Sequence, residues 1–492
     1  MTAFRNAVGF GSETEGGRGG RILFIDNLNG SGLGSLRAAV ETTGPRIIIP
    51  RVKGIIRDHN ILRVNQPFMT LAMQVAQGDL VYEGMISVQT HDVVIRGFKG
   101  WGWDTDDGEG KGNRGPIAVE GTEAYNVVID HWTAVGGIDE NAAVSAGAHH
   151  VTYSWGRSYY ALNNAGHPKG AHSKGLMNNN SSGGFVSFLY NLTAHDKDRN
   201  PEIKSGFTEC IGHVAYNYGD KGGSKCGTNA QAHYEKCKFI EGPDTPPNQF
   251  GIGYDRIDTS LFNVYLRGNI GPGRLTDMGD EYLVTDIPAA RISSVPLFEK
   301  NVQEDRPVEE VAALVIESAG ALPLDSLDLA INADIANRTG TYKDRITDIP
   351  WPTLGNVPYP VDSDGDGIPD YWETQHGDDL DGYLDSFYEE ESGDNEPPMV
   401  DIILPRQNVI VGKKVTIAGT SSDNINVERI ELWANTNMLT VIRAPRANWS
   451  WTWNVPASQP NGECFIQAKS FDDSENMNTD MVRVVIHKFL DQ

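Results

Sequence analysis

The sequence predicts an all-β chain, built as a β-solenoid and followed by a small antiparallel β-sandwich. Three observations carry that prediction. Short runs of β-branched and aromatic residues recur from residue 92: DVVIRGFKG, NVVIDHWTA at 126, HHVTYSWGR at 149, VSFLYNLTA at 186, GHVAYNYGD at 212 and LFNVYLRGN at 261. They are broken by Gly, Asn and Asp, and several spacings fall near 23 to 27 residues, the signature of coils made of several short strands each. A single sandwich over this span would need evenly spaced hairpin turns, which are scarce here. After Pro397 and Pro398 the texture changes to VDIILP, VTIAGTSSD, VERIELWAN, NWSWTWNVP, CFIQAKSFDD and MVRVVIHK, alternating strands about ten residues apart. Finally, 492 residues exceed one ordinary core and suggest two to four domains, or one elongated repeat with appendages.

Between the two β regions the pattern is helical, then irregular. Apolar residues at helical spacing fit one amphipathic helix over 308–319, stopped by Gly320 and Pro323, followed by a mixed segment. The run DIPWPTLGNVPYP holds too much proline for regular structure. The expected organisation is a solenoid with a return segment over 1–350, an acidic linker over 351–395 and a sandwich over 396–492.

Hydrophobic residues make up 39% of the chain, enough for packed cores. The formal charge is −25, and residues 361–396 contribute fourteen Asp and Glu with no Lys or Arg. Removing that stretch leaves about −11, so the acidity is largely local. Without a basic stripe the composition argues against nucleic acid as a partner, and no run of about 18 apolar residues points to membrane insertion. Cys210, Cys226 and Cys237 cluster while Cys464 stands apart, so at least one thiol is expected to be free. The first twenty residues hold no charged segment followed by an apolar one, hence no secretory signal.

The acidic stretch DSDGDGIPDYWE fits the twelve-position EF-hand loop. Asp362, Asp364 and Asp366 take positions 1, 3 and 5, Gly367 position 6, Ile368 offers its carbonyl at 7, Asp370 takes 9 and Glu373 takes 12. Carboxylates this dense repel one another unless a hard divalent cation compensates them, and oxygen-only ligands select calcium. The following DLDGYLDSFYEE reads either as a degenerate second loop, using Asp379, Asp381, Asp385 and Glu390, or as an exposed helix start.

Against this acidity, KDRNPEIKSG at 197–206 places Arg199 and Lys204 five apart around Pro201. One reading is a pair of cations holding an anion; the other is ion pairing with Asp196, Asp198 or Glu202. Exposed pairs of the second kind contribute only about 0 to 1 kcal/mol.

The opening GFGSETEGGRGGRILFIDNLNGSGLGSLRAAVETTGPRIIIPRVKGII, with VVIDHWTAVGGIDE, HPKGAHSKG, DRNPEIKSG and the tail ESAGALPLDSLDLAI preceding DSDGDGIPDYWE, resembles the pectate lyases and related polysaccharide lyases over residues 5–390. The resemblance implies a right-handed parallel β-helix. The last hundred residues resemble bacterial immunoglobulin-like modules. In that family an Arg-x-Pro-x-x-Arg motif supplies an arginine base that removes the C5 proton of a uronate, and a second cation that holds the substrate carboxylate. Arg199 and Pro201 match, Lys204 replaces the second arginine, and Lys174 in AHSKGL is the further expected carboxylate clamp. The base role implies an unusual, positively charged site around Arg199. His172 and His195 are candidates for substrate binding, with His167 in the same region. Calcium normally bridges substrate and enzyme there. Glu140, with Asp139 beside it, matches one ligand position, Val144 stands where a second acid is expected, and 113–115 offers no carboxylate for a third. Asp130 and His131 match a family Asp-His pair and are read as structural turn residues or as a direct part of the site.

Two functions follow. One is a lyase that binds and depolymerises an acidic, uronate-containing polysaccharide by β-elimination, with calcium as cofactor. The other is a non-catalytic carbohydrate-binding or structural component of a viral (phage) tail that recognises host surface polysaccharide, with a homotrimer or other tail proteins as its partners. The expected location is accordingly extracellular or on a virion.

Overall fold

In the computed structural model, which describes residues 2–105, 108, 112, 114–180, 184–258, 261–355, 358–388, 398–423, 427–443, 445, 447–472 and 476–489, with 256–258 by their backbone, the predicted solenoid is a parallel β-helix. The chain divides into two compact units, Met1–Phe387 and Tyr388–Gln492.

The named strands of the first unit pair in parallel, coil upon coil. One line runs through Gly54–Val64, Leu80–Val88, Ile117–Glu120, Glu140–Ser145, Lys174–Asn179, Glu202–Ile211 and Ser224–Glu235. A second runs from Arg46–Pro50 through Met69–Ala72, Val93–Arg96, Tyr125–Asp130 and His149–Ser154 to Phe185–Leu189. A third joins Lys99–Trp101, Thr133–Val135, Arg157–Tyr159, Leu192–Ala194, Val214–Tyr216 and Lys238–Ile240. Val127 pairs with Val151, and Thr208 with Ala232, 24 residues along in each case. Val93 to Val127 and Val151 to Val186 take 34 and 35 residues, so those coils are about ten residues longer than the others.

Parallel stacking puts equivalent positions above one another, which is why apolar residues recur. Ile48, Leu71, Ile95, Ile129, Tyr153, Phe188, Cys210, Tyr234 and Leu266 form one buried interior ladder through successive register pairs. Burying each large apolar side chain contributes about 1.5–3 kcal/mol. Cys210, Cys226 and Cys237 lie inside as free thiols, and Cys464 is buried in the second unit.

Asp130 and His131 belong to a turn. His131 has φ +47, a left-handed conformation, and its Nδ1 lies 2.8 Å from Asp130 Oδ2. Arg96 and Ser154 also donate to Asp130. Burial would raise the pKa of that carboxyl, but His131 and Arg96 outweigh it and pull it down to about 2. The structural reading of this pair is the one that holds.

The expected helix is present at Val308–Ser318, and a second follows at Ser326–Asn337. Both pack outside the third line of strands, through Val311, Val315, Leu327 and Ile331 against Leu192, Val214 and Tyr216. Arg157, wholly buried, ties them down by donating to the carbonyls of Ala319, Ile316 and Asp328 and to Asn332 Oδ1.

The acidic stretch, expected as a linker, packs within the first unit as far as Phe387. Ile368, Tyr383 and Leu384 bury against Ile47 and Ile49, and Asp385 accepts from Arg96 at 2.6 Å. Asp385 is thereby withdrawn from the degenerate loop, and Asp379 caps the helix Leu380–Asp385. Glu390 lies outside the described residues.

The second unit is a β-sandwich. Met399–Leu404, Lys414–Ser422 and Asn448–Asn454 form one antiparallel sheet; Val427–Ala434, Asn437–Arg443, Gly462–Asp472 and Met477–Ile486 lie in the other, with Ile410–Val411 at its edge. Ile417, Leu432, Trp449, Trp453 and Ile466 fill its core.

Candidate functional site

Arg199 sits in the turn before Glu202–Ile211 with φ +67, a conformation that costs a non-glycine residue energy and is held here by surrounding contacts. Its Nε lies 2.8 Å from Glu202 Oε2, an ion pair without hydrogen-bond alignment, and its Nη1 is in direct charge contact with Glu140 Oε1. Asp139 Oδ1 stands 3.9 Å from the same Nη1. The nearest groups to Arg199 are carboxylates, and the positive charge expected around it lies one contact further out, on Lys204 and Lys225, which share Glu202 with it.

The register explains which cations join it. Lys174 opens its strand, opposite Glu140 on one side and bridged to Asp198 on the other, and its Nζ lies 2.7 Å from Asp198 Oδ2. Lys204, two residues into the next strand, lies 3.6 Å from Glu202 Oε1. Lys225, paired in register with Glu202, places its Nζ 2.8 Å from Glu202 Oε1, 3.3 Å from Asp198 Oδ1 and 3.9 Å from Asp255 Oδ1. Lys174, Arg199, Lys204 and Lys225 thus form one row across adjacent coils. The Glu202 side chain is 1% exposed and that of Lys204 29%, so the acid supports the cations from beneath. Burial would raise the pKa of Asp198, but Lys225 and Lys174 lower it on balance; the same contacts raise that of Lys225 against the opposing effect of burial.

Sequence reasoning missed Lys225 and Asp255, and named Asp198 and Glu202 only as ion-pair partners. Glu202 stands at a variable position of the motif, and Asp198 directly precedes the motif. Lys225 lies on the strand SKCGTNAQAHYE, whose polar composition hides it from a search for apolar runs; its 23-residue distance from Glu202, one coil, was the available signal.

The histidines divide. His172 Nε2 lies 2.9 Å from Asp139 Oδ1, and its ring stacks on His167 at 3.6 Å, so it joins the edge of the row through Asp139. His167 Nδ1 accepts from the Lys169 backbone N–H, which leaves the ring proton on Nε2, facing Asp139 at 3.9 Å. His167 and His172 therefore both face the accepting Asp139 carboxylate, an arrangement unsuited to a metal ion at His167 Nε2. His195 is corrected: its side chain is fully buried, stacked on Tyr160, bonded to Asn217 and 3.2 Å from Asp334. Burial lowers its pKa to about 4 despite Asp334. It supports the return segment and cannot meet a substrate.

Among the described residues the cleft acids do not converge as a set of carboxylates that would suit calcium. Glu140 faces Arg199, Asp139 faces His172, and Val144 is fully buried. In place of a third acid stands Arg114, buried over Trp103 and bonded to the carbonyl of Thr105; Asn113 lies outside the described residues. Glu140 and Asp139, expected as calcium ligands, stand here beside Arg199 and His172.

The loop at 362 passes in part. Carboxylate oxygens of Asp362, Asp364 and Asp366 converge within 4.8 Å of one another, and Gly367 takes φ +93 at the turn. Asp362 also meets Arg51 at 2.8 Å. Asp370, expected as a ligand, instead accepts from the backbone N–H and hydroxyl of Ser363, both at 2.7 Å. Glu373 follows in the helix Asp370–His376; desolvation and then the charges of Asp364 and Asp366 raise its pKa.

Beneath the row, Asp196 is fully buried and accepts from Ser158 Oγ and the Ala161 N–H. Burial raises its pKa to about 7. Between about pH 4 and 7 the folded chain keeps a proton that the unfolded chain has lost, so this residue makes stability fall as pH rises through that window. Melting the wild type beside Asp196→Asn from about pH 5 to 8 is expected to show the variant gaining relative stability with pH; parallel curves would contradict the assignment.

The chain is similar to several known proteins. The chain is 32% identical over 398 residues to a probable pectate lyase C from Emericella nidulans, covering 77% of this chain and 87% of that one. It is 31% identical over 403 residues to the probable pectate lyase C of Aspergillus terreus, covering 77% and 88%. Among solved structures, a Bacillus subtilis pectate lyase variant aligns at 14% identity and a TM-score of 0.44, over 64% of this chain and 97% of that one. The cedar pollen allergen jun a 1 aligns at 15% and 0.46, over 64% and 92%. Residues 398–468 match the bacterial Ig domain family. The parallel β-helix and these relatives define the chain as a polysaccharide lyase, a carbon–oxygen lyase. It belongs to the pectate lyase family, with a bacterial Ig domain at its C-terminus. The tail-component reading, and the homotrimer or tail-protein partners attached to it, draw no support from these relatives.

Proposed function

We propose that the chain depolymerises pectate, a polymer of galacturonate, by β-elimination at the row of Lys174, Arg199, Lys204 and Lys225. The observation that carries the reading is that row itself: cations from consecutive coils on one face, inside a chain of net charge −25. The lysines hold substrate carboxylates and stabilise the charge that develops when C5 loses its proton. Arg199 keeps its Nε contact with Glu202 and accepts the C5 proton at Nη. The C5–H electron pair becomes the C4=C5 bond, the C4–O4 bond breaks, and O4 leaves with that pair and takes a proton from water. An arginine side chain is protonated at neutral pH, so a step in which it accepts a proton speeds up as pH rises. A polymeric substrate places the enzyme's work outside the cell. Incubation with polygalacturonate, methyl-esterified pectin and alginate, followed by ultraviolet absorbance of the unsaturated uronate, tests the reading; product is expected from polygalacturonate first.

The loop Asp362–Asp366 is proposed as a calcium site that steadies the packing of Ile368, Tyr383 and Leu384 on the solenoid. When bound, calcium would supply charge compensation there and no chemistry. Calorimetric titration with calcium is expected to give heat for the wild type and none for an Asp364→Ala, Asp366→Ala double variant; equal heats would sink the assignment.

A further inference from the structure

We propose that this lyase grips uronate carboxylates with fixed ammonium groups, Lys225 among them, and works without a divalent cation bridging substrate and enzyme in the cleft. The inference rests on the pectate reading and names how that site holds its substrate.

Its first support is the donor set. A bridging cation needs several acids converging on one point, yet Glu140 is set against Arg199 through Oε1, Asp139 against His172 through Oδ1, and the neighbouring position is the buried Val144, not a third acid. The second support is Lys225. The quoted motif does not contain it, but strand register sets it directly beside Glu202. Its Nζ and that of Lys174 contact opposite oxygens of Asp198, at 3.3 and 2.7 Å, so one carboxylate fixes both ammonium groups. The third support is layering. Glu202 and Asp198 have side chains 1% and 8% exposed, whereas those of Lys225, Lys174 and Lys204 are 12%, 15% and 29% exposed, so charge facing a ligand is positive there. Coils stack at about 4.8 Å, close to one pyranose unit, so lysines on successive coils match successive carboxylates along a chain. Contacts with Asp198 and Glu202 also keep Lys225 cationic at alkaline pH, where a step that loads a proton onto arginine is fastest.

The test uses the full chain and two readouts. Binding of a galacturonate oligomer is measured by calorimetry in excess chelator, and elimination of polygalacturonate is measured in chelator and in calcium, with circular dichroism confirming the fold in both. The expected result is binding in chelator, weakened about ten-fold by Lys225→Met and largely kept by Lys225→Arg, together with kcat within about two-fold between the two buffers. Oligomer binding that appears only with calcium, or that Lys225→Met leaves unchanged in a folded protein, overturns the inference. So does elimination lost in chelator and restored by calcium at constant circular dichroism, an outcome that leaves the pectate reading intact. If the wild type binds in chelator as expected but eliminates nothing in either buffer, the lyase reading fails while the clamp stands.

Discussion

Replacing Arg199 by lysine is expected to lower kcat by about 10²- to 10⁴-fold while leaving oligouronate binding within a few-fold of wild type. The substitution keeps a positive charge, so a residue that served only to neutralise Glu140 and Glu202 would keep most of its function. A guanidinium, however, spans both acids at once, with Nε on Glu202 and Nη1 at Glu140, and presents a planar edge that one ammonium cannot reproduce. The loss should therefore fall on kcat and spare binding, since Lys174, Lys204 and Lys225 remain. Equal rates for wild type and variant would remove Arg199 from the chemistry.

Glu202→Gln is expected to destabilise the chain by about 3 kcal/mol or more, and to reduce kcat/KM as well. Its carboxylate is almost fully buried and serves Arg199, Lys204 and Lys225 together. The amide keeps the shape and removes the charge that compensates three cations, leaving them desolvated against one another. Lys204→Met is the contrast: that ammonium is more exposed and stands 3.6 Å from its acid, so its loss should cost under about 1 kcal/mol. Denaturant unfolding of both variants checks the difference. Equal stability would show that Glu202 does not support the row.

The parts of the fold legible in the sequence are those in which one coil repeats the last. Ile95, Ile129 and Tyr153 stack because their runs are one coil apart, and the runs around them were visible for that reason. The helix Val308–Ser318 shows a clean apolar face. The helix Ser326–Asn337 does not, because its buried side includes Asp328, compensated by Lys99 across more than two hundred residues. The same long-range pairing hid the fate of the acidic stretch, held by Arg51 and Arg96, and of His195, buried against Asp334. At the site, Arg199, Lys204 and Lys174 were legible because a motif carried them. Lys225 was not, because only strand register brings it to Glu202, and register between polar strands leaves no pattern along the chain.

The most direct test is elimination of polygalacturonate by the full chain, wild type beside Arg199→Lys, with binding of the same polymer measured separately. Wild type is expected to release unsaturated uronate at a rate that rises with pH, and the variant to bind the polymer while releasing about 10²-fold less or lower. A wild type that binds polygalacturonate and other uronate polymers yet releases no unsaturated product from any of them would contradict the assignment of this row as the site of elimination.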